Sequence, residues 1–387
     1  FLMKYKIKTK KSIIILPLPF VLNKYLYLLK AYKEQGYDAY ILSKKNIDCN
    51  NLLFEELKSN IFWLPENIFL RFLKIFKLFS KINPKYLEIC DYSLLTFPLT
   101  LIFKLFRKHI TIVLIGYEIR PNDPTRGSVG TFLWKIKRVF TWLSLFLADL
   151  IVVKEYGTFQ VLEKRPKLVR KAIFQHNSIP IPNNHEIIPF NRRNNDFLWL
   201  NRLYRKRDVR IFIHALEDIE PLLLRKKTEI NVKIVGFLVR KQQKFSLDPD
   251  FEYELLELIQ HHNRKYKIKI KDIDFSGESF EYIKNSRFFI FIHEVIFLNY
   301  TLLESMAYGV IPIVSNGEGA EKIISHGENG FIFKSPDELK KILLEIFSMD
   351  SEKLEHISMK ARQTVLENYS IDKWVKNLEK ARQKSSD

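Results

Sequence analysis

The feature that most constrains the fold is an alternation that occurs twice along the chain. Short β-branched, apolar runs are separated by segments of helical periodicity. In the first half, SIIILPLPF (12–20) reads as a strand, KYLYLLKAYKEQG (24–36) as a helix stopped by Gly36, and DAYILS (38–43) as the next strand. ITIVLIG (110–116) and LIVVKE (150–155) follow. Such runs are apolar at nearly every position, which suits strands of a parallel sheet covered on both faces. The second half repeats the pattern through DFLWLNRL, the helical DVRIFIHALEDIEPLLLR, NVKIVGF, IDFSG, RFFIFIHE, the helical TLLESMAYG, VIPIVS and GFIF. The reading is α/β, with two doubly wound, Rossmann-like sheets.

Length and composition fit this picture. Single cores stop growing near roughly 250–300 residues, so 387 residues imply two domains. PIPNNHEIIPFNRRNND (180–196) is rich in Pro, Asn and charge and lacks periodicity, as a linker does. The expected boundaries are a first domain over 1–180, a linker over 181–196 and a second domain over 197–369. A terminal helix from Ser370 is expected to fold back onto the first domain. The basic, apolar start MKYKIKTKKSIIILPLPFVL lacks a small-residue cleavage site and reads as a buried first strand, with Met3 as the natural start. Cys49 and Cys90 are too few for a disulfide framework and point to a reducing compartment. No apolar stretch reaches the roughly 18–20 residues of a membrane span.

Lys and Arg number 63 against 44 Asp and Glu, a net charge of +19. That balance favours a polyanionic partner: nucleic acid, an anionic lipid surface or a phosphorylated substrate.

The most informative block is TLLESMAYGVIPIVSNGEGAEKIISHGENGFIF (301–333). A helix starting near Tyr300 or Thr301, after Asn299, presents backbone N–H groups and the positive end of its dipole, which favour a phosphate. Glu304, one turn inside, can accept hydrogen bonds from two vicinal hydroxyls such as those of a ribose. Gly317 and Gly319 lie in the loop after the strand VIPIVS, at the carboxyl edge where open α/β sheets bind ligands. Arg202 and Arg207 follow the first strand of the same half, and guanidinium forks match phosphate oxygens. The alternative readings are a solvated glutamate, an ordinary turn and surface charge.

These stretches, in this order, resemble the donor-binding domain of family 4 glycosyltransferases, retaining enzymes of the GT-B fold. The resemblance implies two Rossmann-like domains facing a central cleft, with a C-terminal helix returning to the N-terminal domain. Carried over residue by residue, it implies a nucleotide-sugar site at Arg202, Arg207, Gly236, Asn299, Tyr300, Thr301, Glu304, Gly317 and Gly319. The family's first acidic residue stands eight positions before its second; that position is Ile296, and Glu294 stands two residues further back. Asn201 and Asp208 replace family glycines. In the first half, LIGYEIRPNDPTRG (114–127) resembles the family's His-Gly-x-Asp loop, with Ile115 at the His, Gly116 matching and Glu118 at the Asp. Glu118 and Glu294 are the candidate catalytic carboxylates. Gly116, Arg120, His176 and Asn177 are the candidate acceptor-binding residues.

Three segments interleave aromatic and basic residues: 67–85, 97–109 and 131–142. At 100° per residue Phe69, Phe72, Leu73, Phe76 and Phe79 share a helix face, while Arg71, Lys74, Lys77 and Lys81 lie elsewhere, as in a helix resting on an anionic membrane. Trp134 and Trp142 suit an interface. The competing reading packs these aromatics into the first core.

The expectation is a nucleotide-sugar-dependent glycosyltransferase acting on a lipid-linked or cell-surface saccharide, cytoplasmic and peripheral on the inner face of the cell membrane. No cofactor or metal is expected, and nucleic acid is not an expected partner. A non-catalytic GT-B-like subunit and a nucleic-acid-modifying glycosyltransferase are the alternatives.

Overall fold

The structure is a computed structural model describing residues 11–17, 22–44, 52–90, 93–116, 118–120, 131–225, 230–242, 246–276, 280–296 and 299–385. Of residues 22–23, 52, 131–134, 241–242 and 280 the backbone alone is described. The chain divides into two units, residues 1–176 with 371–387, and residues 177–370.

Among the described residues the first unit is built on seven strands: β1 (Ser12–Leu16), β2 (Asp38–Lys44), β3 (Ile61–Leu64), β4 (Tyr86–Ile89), β5 (His109–Leu114), β6 (Leu150–Val153) and β7 (Ala172–Phe174). Every pairing is parallel, in the order β3-β2-β1-β4-β5-β6-β7. Side chains alternate across a strand, so an all-apolar strand serves two cores. Ile13 and Ile15 pack with Ala39, Ile41 and the helix Leu22–Glu34 on one face. Ile14 and Leu16 pack with Leu42, Leu87, Ile112 and the helices Ile68–Ile82, Thr96–Leu105 and Thr131–Leu147 on the other. The basic apolar start therefore does lead into a central strand, although β1 stops at Leu16, before Pro17. β3, β4 and β7, absent from the sequence reading, are short: IFWL, YLEI and AIF.

The helix Ile371–Lys384 belongs to this first unit. It lays Ile371, Trp374, Val375 and Leu378 on the core beside the helix Leu22–Glu34. Its Arg382 is fully buried and donates from Nη2 to Glu88 Oε2 (3.0 Å), from Nη1 to Tyr32 Oη (3.1 Å) and from Nε to Thr111 Oγ1 (3.2 Å). Tyr32 donates in turn to Glu88 (2.6 Å). Burial pushes the Tyr32 hydroxyl well up, so it remains a donor. The network ties the chain's last helix to the middle of the sheet.

The second unit carries β8 (Asn194–Leu200), β9 (Asn231–Phe237), β10 (Ile270–Asp274), β11 (Ser286–Phe291), β12 (Ile311–Ser315) and β13 (Phe331–Phe333), all parallel, in the order β10-β9-β8-β11-β12-β13. The stretch 181–196 does more than link. Phe190 is buried in the second core, and Arg193 donates to the carbonyls of Ile188, Tyr308 and Gly309. β8 begins within it, at Asn194.

Removing Arg382 alone strands the Glu88 carboxylate in the core. Arg382→Met should therefore cost about 3–5 kcal/mol in urea unfolding, and adding Glu88→Gln should recover much of it. Equal stability of wild type and both variants would contradict this account of the network.

Candidate functional site

Winding reverses in the second sheet between β8 and β11, its first and fourth strands in chain order. The connections leaving their carboxyl ends diverge there, and such switch points are where open α/β sheets leave a crevice. The segments at that edge are 201–209 after β8, 292–296 and Asn299 after β11, and 316–319 after β12.

Two glycines bring these segments together. Gly236, near the end of β9, has φ +154°, and a β-carbon there would overlap the Asn201 carbonyl oxygen. Gly317 has no such backbone demand, yet a β-carbon there would overlap the His293 carbonyl and stand 2.9 Å from that of Glu294. The close approach lets Glu318 N donate to Glu294 O (2.7 Å) and Ile296 N to Glu318 O (2.9 Å). Val295 and Glu318 thereby form a parallel bridge beyond the named strands. Gly319, at φ +80°, turns the loop into the short helix Ala320–Ile323.

The helix expected near Tyr300 runs Tyr300–Ala307, with the Asn299 side chain accepting from Leu302 N (2.7 Å) as its N-cap. Asn299 N donates to Ile296 O (3.1 Å), so the 293–296 segment joins the Gly317 loop to the helix start. Thr301 is in the first turn, and Glu304 is buried one turn further on. Ile296 is fully buried, whereas Glu294 is exposed and contributes its backbone carbonyl to the loop pairing.

Arg202 is exposed at this edge and Arg207 is half-buried. Arg207 donates to Asn201 Oδ1 and stacks over Tyr204 (5.2 Å) and Phe291 (5.6 Å). Burial pulls Arg207 below the usual guanidinium range, Tyr204 works against that, and Arg202 adds to it. Sequence reasoning missed His293. Its Nε2 lies 3.0 Å from Tyr204 Oη and its Nδ1 lies 2.8 Å from Val295 O, so it bridges the 201–209 turn and the 293–296 segment. Ser315 Oγ holds the His293 backbone from β12, accepting from its N–H and donating to its carbonyl, both at 2.9 Å. Burial lowers the His293 pKa, with Arg207 contributing, which favours a neutral ring at pH 7. The available signal was a His closing the apolar run of β11.

The first-half candidates form a separate group. Glu118 turns back to accept from Gly116 N (3.0 Å) and Ile115 N (3.2 Å), so its carboxylate shapes the loop after β5. Arg120, expected to meet an acceptor, pairs with the fully buried Glu155. Glu155 also caps the helix Tyr156–Glu163, and Thr158 Oγ1 of that helix donates to Gly116 O (2.6 Å). His176, stacked edge-on against Phe174 (4.5 Å), closes the first unit, while the buried Asn177 opens the second. Among the described residues no group of three or more His, Cys, Asp or Glu is placed to hold a metal ion.

The basic aromatic helices differ from their sequence reading in which face turns inward. In Ile68–Ile82 the buried stripe is Arg71, Ile75, Leu78 and Phe79, so Arg71 leaves the basic face and Phe79 leaves the outward aromatic one. Phe69, Leu73 and Phe76 remain exposed, Phe69 by 65%, and Lys74, Lys77 and Lys81 lie beside them. Phe76 meets Phe106 at 6.2 Å, continuing the apolar surface to Leu101, Leu105 and Phe106. Val139, Leu143 and Phe146 form another outward stripe, on Thr131–Leu147. Trp142 is covered by the Arg165 guanidinium at 4.0 Å, and the Trp134 side chain lies outside the described residues. Among the described residues no helix is long and apolar enough to cross a membrane.

Gly317→Ala should lower the melting temperature and speed amide exchange over 293–296, because the loop must withdraw. Gly327→Ala faces open space at φ +79° and should cost only the left-handed strain of about 1–2 kcal/mol, leaving those amides protected. Unchanged exchange at 293–296 in Gly317→Ala would refute the close-approach account.

Residues 180–364 match the family model of glycosyl transferases group 1. The chain is also similar to solved structures along nearly its whole length. A glycosyltransferase from Rickettsia africae shares 17% identity at a TM-score of 0.70, over 97% of this chain and 98% of that one. The Anabaena protein HepE, in complex with UDP-glucose, shares 13% at 0.67, over 97% and 98%. The apo form of a lipopolysaccharide outer core galactosyltransferase shares 16% at 0.62, over 96% and 98%. A comparison with curated protein sequences gives no significant match. Residues 180–364 are thus a glycosyl transferases group 1 domain, set in a chain of GT-B fold whose enzyme class is glycosyltransferase.

Proposed function

We propose that the chain is a retaining, family 4 glycosyltransferase that moves a sugar from a nucleoside diphosphate sugar to a hydroxyl of a lipid-linked or cell-surface saccharide. The observation that carries this reading is the convergence, at one carboxyl sheet edge, of the capped start of helix Tyr300–Ala307, Arg202, Arg207 and the Gly317–Gly319 loop. The helix dipole and two guanidinium groups meet the diphosphate, and Glu304 accepts from the ribose hydroxyls. The loop amides approach the sugar or a phosphate oxygen. Asn299, Tyr300 and Thr301 supply the helix start, and Gly236 keeps room for Asn201 beside Arg207.

In the reaction the anomeric C–O bond to the diphosphate breaks and a bond from the same carbon to the acceptor oxygen forms. The acceptor's proton passes to the departing phosphate oxygen. The protein's contribution is charge stabilisation of the leaving group, without a metal ion, and orientation of the acceptor. Glu118 and Glu294 are the carboxylates assigned to orient it, and Gly116, Arg120, His176 and Asn177 belong to acceptor recognition.

The outward apolar stripes of the first unit, flanked by lysines, fit a peripheral seat on an anionic bilayer, with the enzyme on the cytoplasmic leaflet. The similarity to a lipopolysaccharide galactosyltransferase agrees with an acceptor anchored there.

In a thermal-shift panel of UDP, GDP, ADP, CMP and dTDP, one nucleotide should stabilise the protein by about 2.7 kcal/mol at a hundredfold excess over Kd. Arg202→Ala and Glu304→Ala should each weaken that shift. No response to any nucleotide in a folded sample would sink the reading. Separately, wild type should sediment with vesicles rich in phosphatidylglycerol, and Leu73→Glu with Phe76→Glu should abolish that while keeping the nucleotide response. Equal sedimentation of both proteins would remove the membrane seat.

A further inference from the structure

A cavity of about 220 Å³ opens in the first unit at the carboxyl ends of β1, β2, β3 and β4. In the order β3-β2-β1-β4-β5-β6-β7 the winding reverses between β1 and β4, so this is the first sheet's own switch point. Its floor is apolar, made by Leu16, Leu42, Leu64, Ile75, Ile89 and Leu99. Among the described residues its polar lining is cationic and hydroxylic: Lys44, Arg71 and Lys137, with Ser43, Ser93 and Thr96, and the exposed Glu66 carboxylate stands 3.6 Å from Lys44.

Two side chains make this a built site. Arg71 is only 7% exposed, although guanidinium groups rarely enter a fold without a paired anion. Its Nε and Nη2 donate to the carbonyls of Pro65 (3.0 Å) and Glu66 (2.5 Å), which fix the group without cancelling its charge. The nearest carboxylate among the described residues, Glu66, stands 3.9 Å away on a largely exposed side chain. Ser43 is 2% exposed, and among the described residues its hydroxyl has no hydrogen-bond partner. A buried cation held in place and a buried hydroxyl without a partner are both explained by an anionic, hydroxyl-bearing ligand. The volume is below the roughly 300–1,000 Å³ of drug-sized pockets, so one ring with its charged group fits and a long oligosaccharide does not.

We infer that this cavity holds a phosphate-bearing sugar ring as the acceptor's recognition element, with Arg71, Lys44 and Lys137 on the phosphate and Ser43 and Thr96 on ring hydroxyls. The inference rests on the glycosyltransferase reading for calling the ligand an acceptor, but the binding itself does not. The phosphate has two sources, a free sugar phosphate or the phosphosugar end of a lipid carrier.

The test is calorimetric titration of the full chain in phosphate-free buffer with glucose 6-phosphate and with glucose. A parallel arm uses phosphatidylcholine vesicles carrying polyprenyl-phosphate glucose. Glucose 6-phosphate should bind at least about tenfold tighter than glucose, roughly what a charge-assisted contact supplies. That preference should shrink in Arg71→Gln and in Lys137→Gln and should persist in saturating UDP. Binding to the loaded vesicles alone identifies the lipid source and supports the same chemistry. If Arg71→Gln does not fold, Lys137→Gln and Ser43→Ala decide. Equal affinity for glucose and its phosphate with no binding to the loaded vesicles, insensitivity to the folded variants, or competition by UDP overturns the inference. Failure of the nucleotide panel, with glucose 6-phosphate still bound here, would sink the donor reading and leave this site standing.

Discussion

Parallel strand pairing is the constraint on which the rest of this chain depends. A parallel strand needs a crossover, the crossovers cover both faces, and the central strands must then be apolar on both sides. Ile13, Ile14, Ile15 and Leu16 show this most directly, feeding two cores in alternation. Pairing in one direction also collects all the carboxyl ends of each sheet along one edge. The order of each sheet then places a reversal at β1/β4 and at β8/β11. The proposed donor site and the cavity beside Arg71 both lie where that geometry leaves space.

What the strands leave open, close contacts fill. Gly317 lets the loop after β12 lie against His293 and Glu294, and Ser315, His293 and Tyr204 then link three strand ends by hydrogen bonds. The half-buried Arg207 sits among aromatic rings beside this network, which limits its motion before any ligand arrives. In the first unit, burial of Arg382 with Glu88 and Tyr32 secures the last helix, whereas burial of Arg71 leaves a charge facing a cavity. The same residue type serves packing in one place and recognition in the other, and the difference is whether a buried carboxylate meets it.

Much of this was legible in the sequence. Strand centres, the helix at Tyr300 and the buried first strand follow from local patterns that tertiary packing reinforces. β3, β4 and β7 were not legible, because three or four residues carry too little periodicity. Arg71 was read onto the basic face of its helix because periodicity cannot show that the carbonyls of Pro65 and Glu66 curl back to receive it. His293 was hidden for a related reason: its partners Tyr204 and Ser315 are 89 and 22 residues away in sequence. That Ile296 stands where the resemblance expects an acid was visible as spacing, and its burial beside the loop pairing required the fold.

The central claim is that the carboxyl edge of the second sheet binds a nucleoside diphosphate sugar. Hydrogen exchange of the full chain, with and without the nucleotide sugar that binds it, tests this most directly. The account predicts new protection over 201–209, 293–304 and 315–320. Tight binding with those amides unchanged and protection arising elsewhere would contradict it.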